Sequence, residues 1–118
     1  MTIREMARLT MARVCAGEEL LEEQVDSAFS SDMMSDVLAY AKDQPVLLTG
    51  LNNPQAVRTA LMLDMRCVIF VRGKDPAEAV VDLARQSGIA LLATPLTMYE
   101  AGGRLYAAGL PGGTGRKK

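Results

Sequence analysis

The sequence contains no histidine and no tryptophan, and it has only two cysteines among its 118 residues. Histidine is the commonest general base and metal ligand, so its absence excludes Ser-His and Cys-His nucleophile pairs. Cys15 and Cys67 lie far apart, which fits neither a disulfide framework nor a zinc site. No apolar run approaches the roughly 18 residues of a membrane-spanning helix. The net charge of −1 gives no reason to expect nucleic acid or an acidic membrane as partner.

The composition, with 49% hydrophobic and 23% charged residues, is typical of a globular protein. A chain of this length fits one domain with its own core. We expect an α/β domain over residues 1–110 and a flexible tail over residues 111–118. The cysteine usage and the lack of a signal peptide predict a cytoplasmic location.

Three strand–helix units follow one another after residue 45. The predicted strands are residues 46–49, 67–71 and 89–93, and the predicted helices are residues 54–64, 77–87 and 97–108. The residues that mark the helix starts are Asn52 or Asn53 with Pro54, Asp75 with Pro76, and Thr97 with Glu100. Gly88 and Gly109 are predicted C-terminal caps, and Gly102-Gly103 indicates close packing inside the last helix. This alternation predicts a three-layer α/β/α domain with a mostly parallel sheet.

The first 45 residues have a weaker pattern. Thr2 and Glu5 predict a capped helix over residues 3–9. A short strand is predicted over residues 13–16, and either a second short strand or a bend over residues 25–30. Asp32 is the expected cap of a helix that runs to about residue 42. Its apolar face would consist of Met33, Met34, Val37, Leu38 and Ala41. Asp32 and Asp36 share a helix face, and a cap with a solvated neighbour is the alternative to a carboxylate pair with metal or acid/base chemistry.

Several segments in this order resemble the DRTGG-domain family. They are residues 31–39 (SDMMSDVLA), 46–50 (VLLTG), 68–73 (VIFVRG) and 88–94 (GIALLAT). Leu51-Asn52 stand in place of the family's aspartate-arginine pair, and Val71-Arg72-Gly73 replace its threonine-glycine-glycine. The resemblance implies a fold similar to the N-terminal domain of HPr kinase/phosphorylase and an accessory, sensory or scaffold role. It is closest to short stand-alone members, some of which are encoded beside iron hydrogenase components.

The best candidate site is the edge at which the three predicted strands end. In an open parallel sheet the loops after the strands lie along one edge, where ligands collect at a switch in strand order. Helix N-termini and two basic side chains there favour an anion, a nucleotide or an acyl-phosphate. The predicted ligand-binding residues are Thr49, Gly50, Asn52, Asn53, Arg72, Gly73, Lys74, Thr94 and Thr97. The structural alternative is a set of ordinary capped turns.

The function that this pattern favours is a non-catalytic regulatory or sensory module that binds a small anionic ligand, with no cofactor and no metal. The alternative is a structural protein that self-associates and docks to a partner metabolic or redox enzyme. We predict a homodimer, because the chain offers more apolar surface than a small domain can bury. The residues on which this prediction depends are Met33, Met34, Tyr99, Tyr106 and the glycine pair at 102–103. A bound anion would favour the first function, and a large apolar surface the second.

Overall fold

In the computed structural model, which describes residues 1–115, the chain forms five α-helices and five β-strands. The helices are α1 (Ile3–Thr10), α2 (Met34–Tyr40), α3 (Pro54–Met62), α4 (Glu78–Ser87) and α5 (Met98–Ala107). The strands are β1 (Arg13–Ala16), β2 (Ala28–Ser30), β3 (Val46–Thr49), β4 (Cys67–Phe70) and β5 (Ala90–Ala93). None of these helices has the length and apolar character needed to cross a membrane.

Three helix starts follow the predicted capping chemistry. The side chains of Thr2, Asn53 and Thr97 accept hydrogen bonds from backbone N–H groups in the first turns of α1, α3 and α5. Pro54 occupies the first position of α3, where its missing N–H costs nothing. Gly88 ends α4 in the left-handed conformation, as predicted, with φ of 69°.

Two predicted caps are wrong. α2 begins after Met33 and α4 after Ala77, and neither start has a side-chain cap. Asp75 instead forms an ion pair with Arg13. The carboxylate of Asp32 turns towards the loop after β3. Both carboxylates bind groups that are distant in the sequence, whereas capping rules consider only neighbouring residues.

The apolar face predicted for α2 is also narrower than expected. Met34, Val37 and Ala41 are buried, whereas Met33 is 60% exposed and Leu38 42% exposed. The close packing predicted at the glycine pair of α5 is not supplied by the described residues of the chain itself. A Cβ on Gly102 would make only ordinary contacts, and one on Gly103 would meet nothing within 4 Å.

The five strands form one sheet in the order β1-β5-β4-β3-β2. β2 to β5 are parallel to their neighbours, and β1 runs antiparallel beside β5. The mostly parallel sheet is therefore confirmed. The strand order advances in one direction from β2 to β5, so the described sheet has no reversal among its parallel strands of the kind expected at a ligand site.

Side chains alternate between the two faces of the sheet and make two cores. Leu47, Val68, Phe70 and Leu91 pack under α2, α3 and α4. On the other face, Val46, Leu48, Ile69 and Leu92 pack under α1 and α5. The three-layer α/β/α architecture is confirmed. Its continuous apolar strands are explained by helices on both faces.

The free edge of β2 is covered by the residues after α5. The Ala28 N–H donates to the Pro111 carbonyl at 2.9 Å, and the Gly113 N–H donates to the Ala28 carbonyl at 2.8 Å. Residues 111–113, predicted as the start of a flexible tail, are thus hydrogen-bonded to the domain, because an edge strand has unpaired backbone groups to offer. Arg116, Lys117 and Lys118 of that predicted tail lie outside the described residues.

Candidate functional site

The loops after β2, β3, β4 and β5 meet at the carboxyl edge of the sheet, because these four strands are parallel. The predicted loops, residues 49–53, 72–74 and 94–97, are brought together there as expected. The loop after β2 adds a residue that the sequence analysis did not assign to the site. This residue is Asp32, whose side chain lies at the centre of the arrangement.

Donors from two neighbouring loops converge on the Asp32 carboxylate. The Gly50 N–H donates to Asp32 Oδ1 at 2.6 Å, and the Thr49 hydroxyl contacts the same oxygen at 3.4 Å. The Arg72 guanidinium reaches Asp32 Oδ2 through both terminal nitrogens at 3.5 Å. A backbone N–H, a hydroxyl and a guanidinium are the groups that proteins use to bind phosphates and carboxylates. We call the donors of Thr49, Gly50 and Arg72 the cradle, and in this structure it holds the chain's own Asp32 carboxylate.

Gly50 and Arg72 make the cradle possible through their backbones. A Cβ on Gly50 would overlap the Arg72 guanidinium, so glycine lets that side chain lie over the loop. Arg72 has a φ of 69°, in the left-handed region, which costs a bulky residue about 1–2 kcal/mol. Its N–H donates to the Leu96 carbonyl at 2.8 Å, which holds the strained residue in place. Such strain is concentrated at binding and catalytic sites.

Three of the predicted ligand-binding residues are used inside the protein. Thr94 is fully buried: its hydroxyl donates to the Thr10 carbonyl at 2.5 Å and accepts from the Leu96 N–H at 3.1 Å. Thr49 is fully buried too, and its hydroxyl accepts from the Leu51 N–H at 3.1 Å. The Gly73 N–H, expected to face a phosphate, donates to the Thr94 carbonyl. These residues build the edge, and in this conformation they have no group free for a ligand.

The remaining predicted residues lie around the cradle. Asn53 and Thr97 cap α3 and α5. The Asn52 amide donates to the Lys74 carbonyl at 3.4 Å and so joins two loops, while its side-chain oxygen is buried with no hydrogen-bond partner among the described residues. Lys74 is exposed. Of the two predicted cations, Arg72 contacts the Asp32 carboxylate, and a third cation, Arg13, reaches this edge through its ion pair with Asp75.

Asp32 could have been found from the sequence only through β2. It lies two residues after the end of β2, so recognising residues 28–30 as a fourth parallel strand places it at the same edge as residues 49–53. That strand has only three residues, and its prediction over 25–30 did not specify its direction. The helix-cap interpretation was therefore preferred for Asp32.

Replacing Thr94 by Val tests its structural assignment. We expect Thr94→Val to lower the free energy of unfolding by about 1–3 kcal/mol, since it leaves the Thr10 carbonyl and the Leu96 N–H without the hydroxyl. Urea denaturation measures the change. The matched control is Thr114→Val at an exposed position, expected to change stability by less than about 0.5 kcal/mol. Unchanged stability in Thr94→Val would contradict the assignment.

The two thiols do not extend the site. Cys67 is fully buried in β4, and burial raises its pKa far above the ordinary range. Burial also raises the pKa of Cys15, partly opposed by the Arg13 charge. A raised pKa lowers the thiolate fraction and hence nucleophilicity. Within residues 1–115, no group of three or more Cys, Asp or Glu side chains is placed to hold a metal ion.

One cavity of the described residues lies at this edge, and a larger groove lies along α5. A cavity of 180 Å³ lies at the carboxyl edge and includes Gly73, Asp75 and Thr94 in its lining. This volume is below the roughly 300–1,000 Å³ that encloses a nucleotide-sized ligand. A larger open groove of 1010 Å³ runs along α5, between that helix and the segment around Pro111.

Comparison with solved structures finds the same fold in the regulatory region of an enzyme. The structure of the CBS and DRTGG domains of the regulatory region of Clostridium perfringens pyrophosphatase, complexed with the activator diadenosine tetraphosphate, matches with a TM-score of 0.71. The sequences are 16% identical over 93% of this chain, so the likeness concerns the fold. The match covers 47% of the pyrophosphatase chain, and the present chain therefore spans about half its length.

Comparison with sequences gives the family. No curated protein sequence matches the chain. The model of the DRTGG domain matches residues 5–108, which is most of the chain and includes β1 to β5, all of α2 to α5 and most of α1. The chain therefore belongs to the DRTGG domain family.

Proposed function

We propose that the chain is a non-catalytic regulatory module of the cytoplasm that binds a small anionic ligand, a nucleotide or an acyl-phosphate, at the carboxyl edge of its sheet. The observation that supports this most is the set of donors around Asp32. The Gly50 N–H, the Thr49 hydroxyl and the Arg72 guanidinium are already arranged around a negative group. In this proposal a phosphate or carboxylate of the ligand replaces the Asp32 carboxylate.

The energies allow such an exchange. The Asp32–Arg72 ion pair spans 3.5 Å between side chains that are about half exposed, and pairs of this kind are worth about 0–1 kcal/mol. A phosphate that accepts two hydrogen bonds from one guanidinium gains about 1.5–3 kcal/mol per charged bond. Lys74 would add a second cation. Asn52 and Asn53, in the loop between β3 and α3, would line one side of the site. The fold match to a regulatory region crystallised with a nucleotide activator supports the nucleotide class.

Calorimetric titration of the purified chain tests the proposal, with AMP, ATP, acetyl phosphate and diadenosine tetraphosphate as probes. We expect Arg72→Ala to weaken binding of the recognised probe by about 10- to 100-fold, which corresponds to losing about 1.5–3 kcal/mol. The matched control is Arg58→Ala, which removes the same charge from an exposed position on α3. If no probe binds the wild-type chain at millimolar concentration, the anion site is rejected.

A second candidate function is self-association and docking to a partner protein. It is favoured by the groove along α5, whose lining is largely apolar, and by Tyr99, which is 89% exposed. Large exposed apolar surfaces mark interaction sites more often than they mark free surface. Both functions are compatible, because none of the residues that line the groove contacts the Asp32 carboxylate.

A further inference from the structure

α5 presents an exposed stripe with aromatic residues at its two ends and glycines at its centre. Tyr99 is 89% exposed and Tyr106 is 60% exposed. Gly102 and Gly103 lie between them, about one turn from each. A Cβ on Gly103 would meet nothing within 4 Å, so the helix backbone itself is open to an approaching partner at this point.

The stripe forms one wall of the 1010 Å³ groove. The opposite wall consists of the β2 residues Ala28 and Ser30 and the segment Leu110 to Gly112, which covers the edge of the sheet. The groove is thus a shallow apolar channel parallel to a helix, a shape that an amphipathic helix fills.

Two charged side chains flank the stripe. Glu100 and Arg104 are both exposed and stand one turn apart on the same side of α5. Among residues 1–115 neither belongs to an ion pair: Glu100 accepts a hydrogen bond from the Thr97 hydroxyl at 3.1 Å, and Arg104 donates one to the Leu9 carbonyl at 3.4 Å, so both keep their full charge. Each charge is therefore available to a partner of opposite sign.

We infer that the occupant of the groove is α5 of a second copy of this chain, antiparallel across a two-fold axis between Gly102 and Gly103. The axis places Gly102 against the partner's Gly103 and Tyr99 against the partner's Tyr106. Glu100 then lies beside the partner's Arg104, offset by the roughly 1.5 Å rise of one residue. The inference deepens the self-association candidate by naming its surface.

Charge complementarity distinguishes this arrangement from its alternatives. A two-fold axis perpendicular to the paired helices keeps each flank against the same flank of the partner. It therefore brings Glu100 of each copy beside Arg104 of the other, which makes two such contacts per dimer. A parallel pairing, with its two-fold axis along the helices, would place this flank against the opposite flank of the partner, so Glu100 and Arg104 would not meet across the interface. The glycines at the axis remove side chains where the two helices come closest, as small residues do in other close helix pairs.

A charge swap tests the arrangement, with mass measured by light scattering and dissociation by sedimentation. The wild-type chain should show twice its 12.7 kDa mass at micromolar concentration. We expect Glu100→Arg and Arg104→Glu each to weaken dimerisation by about tenfold, and the double variant to recover to within roughly threefold of wild type. Glu78→Arg, in the exposed first turn of α4, is the matched control and should change nothing.

Gly103→Leu provides a variant that should fold well, since the position is open and leucine favours a helix more than glycine does. We expect its melting temperature to equal or exceed that of wild type at concentrations where both are monomeric, and its dimer to be lost. A monomeric wild type, a dimer that survives Gly103→Leu, or a double swap that fails to recover would each overturn the inference. The mass readout uses no ligand, so this outcome is independent of the anion site.

Discussion

Gly17→Ala is expected to lower the free energy of unfolding by about 2–5 kcal/mol. Gly17 follows β1 with a φ of 84°, which costs any L-residue with a Cβ about 1–2 kcal/mol. A Cβ there would also lie 2.6 Å from the Ala90 Cα, which belongs to the backbone of β5 and has no rotamer to escape. The overlap pushes β1 away from β5, its partner in the sheet. Urea denaturation measures the resulting loss in the free energy of unfolding.

Gly88→Ala separates the two causes. Gly88 has a φ of 69°, and a Cβ there would meet nothing within 4 Å. Its substitution should therefore cost only the backbone term of about 1–2 kcal/mol. Equal losses in the two variants would contradict the clash with β5. If Gly17→Ala does not accumulate as folded protein where Gly88→Ala does, that difference itself shows the larger loss at Gly17.

The parts of the fold that local chemistry determines were predicted from the sequence. Neighbouring residues alone predict the strand of residues 46–49, the cap at Thr97 and a cap at Asn52 or Asn53, and the structure has the strand there and the caps at Asn53 and Thr97. Short-range hydrogen bonds within a turn are the same in most folds, so local rules are sufficient for them. The parallel sheet followed from apolar strands alternating with helices.

The errors came from partners distant in sequence. Asp32 and Asp75 look like helix caps, but Arg72 and Arg13 engage them across 40 and 62 residues. The position of β1, antiparallel to β5 at an edge, likewise depends on contacts between the two ends of the chain. Nothing in a local pattern shows which of two competing partners an aspartate takes.

The candidate site was predicted in place but not in detail. Parallel strands bring their carboxyl ends to one edge, which placed Thr49, Arg72 and Thr94 near one another. Which donors stay free depends on bonds between loops, such as that of the Thr94 hydroxyl to the Thr10 carbonyl 84 residues away. The sequence therefore predicts which loops lie together. The structure adds that the hydroxyls of Thr49 and Thr94 are already hydrogen-bonded within the protein.

Asp32→Ala should turn the occupied cradle into an empty one. The variant leaves the Gly50 N–H and the Arg72 guanidinium without their carboxylate, so we expect a loss of about 1–2 kcal/mol of stability. Asp36→Ala is the matched control: it removes the same charge from an exposed position one turn further along α2 and should change stability by less than about 0.5 kcal/mol. The difference between the two losses measures what Asp32 contributes as the internal anion.

Inorganic phosphate then tests whether the cradle binds an anion from solution. Phosphate at ten times its dissociation constant stabilises a protein by about 1.4 kcal/mol, which for a chain of this size raises the melting temperature by roughly 5 °C. We expect a rise of this order in Asp32→Ala, and a clearly smaller one in wild type, where the carboxylate competes for the same donors. Asp36→Ala should behave as wild type, and its response measures the general effect of phosphate as a salt. Equal rises in all three proteins would show that Gly50 and Arg72 hold Asp32 for structural reasons alone. A rise confined to Asp32→Ala would show that the vacated donors bind phosphate, and that an anion reaches them in the wild-type chain only by displacing the Asp32 carboxylate.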